Sequence, residues 1–314
     1  MPTSLHDVRR DAFNYVWDRS IPPALEVRSG DEVLLHARDA SDEQLHQGAT
    51  ATDVATLDFA HVNPVSGPVF VAGAAPGDTL EVEILELVPQ RWGWTAIIPG
   101  FGLLADEYPD PWLRISEVDA EHGVVRFSNE VELALRAFPG TIGVAPAEPG
   151  PHSVIPPSRW GGNLDTRHLV AGATLLLPIG VEGALFSLGD THAAQGDGEV
   201  CGTAVECAMD VTVRLSVRTD VNVTAPQLQV PVLDAADHSG YRICTGVGPD
   251  LHEAARDAVR SLVDWLGDER GLDREEAYAV ASVACDLRIH EVVDAPNWVV
   301  GCFIPQSIFE GGER

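Results

Sequence analysis

The sequence contains no lysine: all 20 of its basic residues are arginine. That absence removes whole mechanisms. No Schiff base with a carbonyl or with pyridoxal phosphate can form, no P-loop lysine is available, and the serine-lysine and cysteine-lysine pairs of several amide hydrolases are excluded. Cysteine is scarce as well, with five residues (Cys201, Cys207, Cys244, Cys285 and Cys302) and no CxxC pair. Neither a zinc knuckle nor a disulfide framework is indicated. No apolar run reaches the ~18 residues of a membrane span, and the charged residues 1–14 lack the apolar core of a signal peptide. A cytoplasmic protein is expected.

Positive charge in general is short. With 48 acidic residues against 20 basic ones the formal charge is -28, too negative to be drawn to nucleic acid or an anionic membrane without a compensating basic patch. No such patch stands in the sequence, so neither partner is expected. An acidic, lysine-free surface fits work in high salt, where screening lessens repulsion among carboxylates. A GC-rich genome favouring arginine codons leaves the same bias.

Helical periodicity is nearly absent from the first two thirds of the 314 residues. What stands there is strand-length alternation around residues 24–28, 67–71 and 80–87, separated by turn signals such as Ser29-Gly30-Asp31 and Pro76-Gly77-Asp78. A strand pair follows at 183–190 and 203–217, where Val205, Cys207, Met209, Val211, Val213, Leu215 and Val217 alternate with outward residues. Residues 145–157 hold five prolines, which excludes a helix or a central strand and leaves a linker or an ordered loop on a site. The period changes only in the last third. Asp250 caps a helix ending near Gly267, and Asp273 with Glu276 opens a second running to about Leu287. The expected class is mainly β with an α+β C-terminal part: a β-sandwich or jelly-roll-like core with the two late helices packed on it through alanine-rich faces. At 45% hydrophobic residues and a mean hydropathy of +0.02, the chain is a folded one.

The densest polar cluster is GDTHAAQGDGE from Gly189. Asp190 and His192 are two apart at the end of an apolar strand, so extended backbone projects them from one face, where a carboxylate and an imidazole suit a borderline cation such as zinc. Gly196 and Gly198 let the backbone return Asp197 or Glu199 toward the same point, and their amides can serve an oxyanion. An EF-hand fails on inspection, because with Asp190 at position 1 the twelfth residue is Cys201. A hairpin whose carboxylates merely satisfy turn amides would carry the same letters. Three further features stand out. Trp160-Gly161-Gly162-Asn163-Leu164-Asp165 sets Asp165 on a permissive loop, as a third ligand or as an Asx-turn. His61 precedes Asn63-Pro64. Trp92-Gly93-Trp94 with Phe101 suggests a small apolar pocket or ordinary core packing.

Together these stretches resemble the acetamidase/formamidase family. The matching pieces are WDRSIPPALEV from Trp17, NPVSGPVFVAGAAPGDTLEVEI from Asn63, WGWTAIIPGFGLLADEYPD from Trp92, FPGTIGVAPAEPG from Phe138, GGNLDTRHL from Gly161, GALFSLGDTHAAQGDGEVCGTAVE from Gly183 and DLRIHEVVDAPNWVV from Asp286. They keep the family's order and span nearly the whole chain, 1–314, as one catalytic unit with a possible subdivision into 1–145 and 158–314. One departure stands out: relatives often read His-Pro-Leu-Thr-Gly-Pro where this chain has Asn63-Pro64-Val65-Ser66-Gly67-Pro68, and His61 lies two positions earlier. The resemblance implies a cytoplasmic homo-oligomer with a β-rich fold that hydrolyses a short aliphatic amide to carboxylic acid and ammonia.

An amide is a poor electrophile, so its hydrolysis needs activated water, a stabilised oxyanion and a protonated leaving amine. Without lysine, metal plus carboxylate supplies all three. The expectation is that Asp165, Asp190 and His192 hold a divalent cation, zinc before calcium, lowering the pKa of its water toward ~7. Glu199 takes the water proton and returns it to the departing ammonia, with Glu206 or Asp197 as alternative base. Gly196 and Gly198 amides face the oxyanion, while Trp94, Phe101 and Asn163 bind substrate. The rivals are a carboxylate-only hydrolase of another C–N bond and a β-sandwich module that binds a ligand without turnover.

Overall fold

Alternation of apolar and polar side chains becomes sheet over most of the chain. In Thr79–Pro89 the buried residues include Leu80, Val82 and Ile84, and in Met209–Arg218 they are Met209, Val211, Val213 and Leu215. The two strands pair antiparallel. The computed structural model describes residues 4–129, 131–231, 240–272, 274, 277, 281 and 285–309. Among them a nine-stranded sheet runs in the order Leu5–Val8, Asp31–Ala37, Met209–Arg218, Thr79–Pro89, Thr174–Pro178, Gln227–Val230, Tyr241–Gly248, Trp298–Pro305 and Asp286–Glu291. A twelve-stranded sheet has Phe186–Ala194 near its middle, paired with Phe138–Gly143, Val65–Ala72 and Val205–Glu206.

One apolar core lies between the sheets, with Val33, Leu35, Val82 and Val213 contributed by the first and Val69, Phe138, Ile142, Phe186 and Leu188 by the second. This is the mainly β sandwich that the turn spacing implies. Strands from either side of the proline-rich stretch share both sheets. Within that stretch His152–Ser153 pairs with Val16–Trp17, so it is an ordered loop.

The alternating run 203–217 is two strands rather than one. Val205–Glu206 pairs with the site strand Phe186–Ala194, whereas Met209–Arg218 belongs to the other sheet. Between them the chain crosses from one layer to the next, and a period of two is preserved because both strands bury one face toward apolar neighbours.

Helix Leu251–Arg270 begins where the Asp250 side chain accepts from the Glu253 amide at 2.9 Å. It runs one turn beyond Gly267, to Gly271, whose φ of 70° lets its amide return to the Gly267 carbonyl. Ala254, Ala258, Leu262 and Leu266 are buried, and the last three pack in one cluster with Cys244, Cys302 and Ile304 of the nine-stranded sheet. Contact is so close that a Cβ at Gly246 would collide with the Ala254 carbonyl. Of the second expected helix, Asp273, Glu276 and most of its body lie outside the described residues. Arg274, Ala277 and Ala281 are helical, and the two alanines are buried against the same cluster. Leu287 belongs to the strand Asp286–Glu291 instead, so that helix stops earlier than its periodicity suggests. No helix among the described residues is long and apolar enough to cross a membrane.

Candidate functional site

The strand Phe186–Ala194 is buried along its whole length, an unusual setting for a sequence that includes Asp190, Thr191 and His192. Asp190 adopts a left-handed backbone conformation, φ 50°, so the strand is locally distorted where its carboxylate emerges. Such geometry costs an L-residue about 1–3 kcal/mol and persists only where the surroundings dictate it. His192 follows in register opposite Glu206. Its Nε2 stands 3.4 Å from Asp190 Oδ1 and 3.0 Å from Glu206 Oε2. On the other side of the ring, Nδ1 lies 2.8 Å from Gln195 Oε1, while Gln195 Nε2 donates to the Asp165 carbonyl at 2.9 Å. Because that amide oxygen can only accept, Nδ1 donates to it and Nε2 is turned to the carboxylates.

Asp165 arrives from the loop after Gly161–Asn163, again with positive φ, 43°. Its Oδ1 is 3.7 Å from His192 Nδ1. Gly140 on the neighbouring strand makes room for this meeting, since a Cβ there would stand 2.5 Å from Asp165 Oδ1 and 2.7 Å from His192 Cε1. Glu199 is the third site residue in the left-handed region, φ 45°. Behind these groups a polar relay fixes orientation. Thr141 Oγ1 donates to Asn163 Oδ1 at 2.5 Å, and Asn163 Nδ2 donates to Asp294 Oδ2 at 2.6 Å.

A cavity of about 210 Å³ opens onto this cluster, with Asp190, Glu199, Glu206, Asp294 and Asn163 among its polar lining and Trp94, Ile98 and Phe101 among its apolar walls. Trp94 is locked by donation from Nε1 to Asp39 Oδ1 at 3.0 Å. The structure thus brings together Asp165, Asp190, His192, Glu199, Glu206, Asn163, Trp94 and Phe101. It places four of the expected residues elsewhere. The Gly198 amide donates to the His290 carbonyl at 2.8 Å and is committed there. Gly196 lines a neighbouring surface cleft that shares Glu199 with the cavity, as does Asp197, whose Oδ1 pairs with Arg167 Nε at 3.3 Å. His61 is exposed and pairs with Asp58 at 2.7 Å. Asn63, two residues later, lines the cavity in its stead.

Two carboxylates that spacing does not reveal complete the cluster. Glu291, at the end of Asp286–Glu291, and Asp294, in the following loop, are 0% and 2% exposed. Both fall inside the HEVVDAP stretch, but an acid directly after a histidine and another three residues on match no ligand spacing that chemistry singles out. The pairing of this far strand with Trp298–Pro305, the bridge from Gly198 to Glu291 and the Asn163–Asp294 hydrogen bond bring them in.

Burial shapes the titration of Asp165, Glu199, Glu206 and His192. It pushes the Asp165 carboxyl up to about 6, helped by the charge of Asp190. Burial likewise lifts Glu206 to about 7, and raises Glu199 well above the carboxylate range with Asp165 adding to the effect. Burial acts downward on His192, but Glu206 and Asp190 outweigh it and hold the imidazole well above its ordinary value. Six carboxylates no more than 7% exposed meet here, Asp165, Asp190, Glu199 and Glu206 grouped with His192, and Glu291 and Asp294 grouped with Asp165. Both oxygens of Asp165 and Oε1 of Glu291 meet no hydrogen-bond partner among the described residues, and Glu206 Oε2 and His192 Nε2 face each other at 3.0 Å as an ion pair. Buried anionic oxygens left in this way are costly unless a cation joins them. Asp165, Asp190 and His192 offer ligand atoms within 4.8 Å of one another, and so do His192, Glu199 and Glu206. The donor set fits a divalent metal ion.

The sequence matches the acetamidase/formamidase family over residues 3–154 and 149–311. It is 30% identical to an acetamidase of Mycolicibacterium smegmatis, with 84% of this chain and 83% of that protein aligned. A formamidase of Methylophilus methylotrophus is 26% identical over 94% of this chain and 88% of its own. The fold superposes on the crystal structure of an acetamidase from Bacillus halodurans with a TM-score of 0.88 at 30% identity, covering 97% of this chain and 99% of that one. With fold, chain-long sequence match and a buried acid–histidine cluster in agreement, the chain belongs to the acetamidase/formamidase family of amidohydrolases.

Proposed function

We propose that the chain hydrolyses a short aliphatic amide, formamide or acetamide, to carboxylate and ammonia in the cavity above His192. One observation carries this reading: a small pocket with aromatic walls ends on unpartnered buried carboxylates around a single oriented imidazole. Asp165, Asp190 and His192 would hold a divalent cation, zinc being favoured by the imidazole. Such a cation, when bound, supplies Lewis acidity toward the amide carbonyl and makes water more acidic.

The chain's own groups do the rest. Glu199 lines the cavity and has a carboxyl pKa raised by burial, so it accepts a proton from the attacking water and then delivers it to the leaving nitrogen as the C–N bond breaks. Glu206 is already engaged, with one oxygen accepting from the Ala204 amide at 2.8 Å and the other beside His192. That engagement favours Glu199 over Glu206 as the base. Asn163 acts as a positioning residue through Thr141 and Asp294. Trp94, Ile98 and Phe101 exclude bulk water and limit the length of the acyl group.

Ammonia release measured across formamide, acetamide, propionamide and butyramide tests the proposal. The expected kcat/KM is highest for the first two and falls with each added methylene. A steady rise with chain length would contradict the tight pocket, and no release from any of the four would contradict the activity.

A further inference from the structure

We infer that a small oxyanion, a carboxylate or a phosphate, binds against Arg242 in a cavity between helix Leu251–Arg270 and the outer face of the nine-stranded sheet. Side chains of Tyr241–Gly248 alternate between the two faces of that sheet: Ile243 enters the core between the sheets, while Cys244 meets the helix. Arg242 therefore belongs to the helix side. The helix packs on Tyr241–Gly248 and Trp298–Pro305, and beside it lies a cavity of about 1090 Å³. Thr174, Gln227, Gln229 and Arg242 line it from the sheet, Ser261 and Trp265 from the helix. It shares no lining residue with the cavity above His192, so the inference stands independently of the proposed activity.

Arg242 is 8% exposed, and its charge is unanswered. Among the described residues its side chain makes one hydrogen bond, from Nη2 to Gln227 Oε1, while Nε has no partner and no carboxylate pairs with it. A guanidinium carries five N–H donors and keeps its proton, so a buried one without an anion is costly. The chain has 48 acidic residues, yet the neighbours of Arg242 on the adjoining strands are Gln229 and Ile304. Other arginines of the cavity are answered. Arg218 holds Glu81 and Asp220 at 2.6 and 2.8 Å, and Arg274 faces Asp264 at 3.7 Å.

The guanidinium is also fixed in place. It lies over the Trp265 ring, 5.2 Å from the centroid, and Gln227 in turn donates from Nε2 to Ser261 Oγ at 2.9 Å. Stacking offsets part of the cost of burial, but neither an indole nor a glutamine supplies negative charge. A planar set of donors held in this way suits a carboxylate or a phosphate. Asp264, Asp268 and Glu269 stand exposed at the rim, where solvent and salt screen them, whereas contact with Arg242 is made in the shielded interior.

Thermal melting at constant ionic strength tests the site, with chloride replaced stepwise by acetate, phosphate or sulfate. The parent is compared with Arg242→Met, which keeps the apolar stem and removes the charge. The parent should gain a few degrees along a saturating curve, and the variant only the smaller, unsaturating rise that excluded salts give any protein. Acetate bound in the catalytic cavity would raise both alike. A saturating response to acetate alone identifies a carboxylate site, and one to phosphate and sulfate alone a site for tetrahedral anions. Identical curves for parent and variant overturn the proposal. Sedimentation of both proteins asks whether a second copy fills the cavity instead: a dimeric parent and a monomeric variant would overturn the small-ligand assignment. If Arg242→Met does not fold, crystals of the parent soaked separately in acetate and in selenate decide. Density for either within hydrogen-bond distance of Arg242 is expected, and its absence from both overturns the site.

Discussion

Glu199 carries the chemical burden of the proposed reaction, and its environment explains why a glutamate suffices. In water a carboxylate is a weak base at neutral pH. Burial here raises its pKa, which makes it a stronger base than a carboxylate in water. Replacing it by glutamine keeps the shape and removes the basicity. Glu199→Gln should lower kcat by on the order of a hundredfold or more with metal content near that of the parent, as read by ammonia release and metal analysis. Loss of the metal would make Glu199 a ligand instead. At this scale the sequence was legible where chemistry clusters locally: the stretch from Asp190 to Glu199 contains three acids and an imidazole within ten residues. It was not legible where tertiary contacts do the work. Glu291 and Asp294 are about a hundred residues from Asp190, and nothing in their spacing signals that Asp165 lies against them. The reverse holds for Gly198, which sits in the right stretch yet spends its amide on His290.

Elements were read well when burial left a period and poorly when it did not. Alternation located Leu25–Arg28, Val65–Ala72, Thr79–Pro89, Phe186–Ala194 and Met209–Arg218, because each places apolar side chains in the shared core. The same alternation concealed the break at 207–208, where the chain changes sheets without changing its pattern. Helix Leu251–Arg270 was legible from its cap and its apolar stripe. Its end was harder to find, because Gly267 tolerates helical backbone and the left-handed turn falls at Gly271. The helix packs on Tyr241–Gly248 and Trp298–Pro305, at a distance in sequence from every proposed catalytic group. Removing its cap should therefore affect stability alone. Asp250→Ala is expected to cost about 1 kcal/mol in denaturant unfolding with kcat unchanged. A parallel loss of kcat would show that the helix end communicates with the site.

On the scale of the whole molecule, six acidic residues are buried together at the site, and stability is therefore expected to depend on pH and on any cation bound there. The carboxyls of Asp165, Glu206 and Glu291 are raised to about 6, 7 and 8 by burial. A carboxyl raised on folding stabilises fully below its unfolded pKa, near 4, and that contribution is lost as pH rises through the folded value. Stripped protein should accordingly melt at progressively lower temperature between about pH 5 and pH 8, and reloading with zinc should flatten the decline, because a cation favours the charged forms. A Tm independent of pH in the stripped protein would mean that these groups are already paired.

The most direct measurement is ammonia release from formamide and acetamide by protein stripped of divalent metal and then titrated with zinc. Stripped protein should be inactive, and turnover should return in proportion to zinc bound, reaching its plateau when the site containing His192 is filled. Full turnover by the stripped protein would contradict the account, because the buried carboxylates would then be sufficient alone.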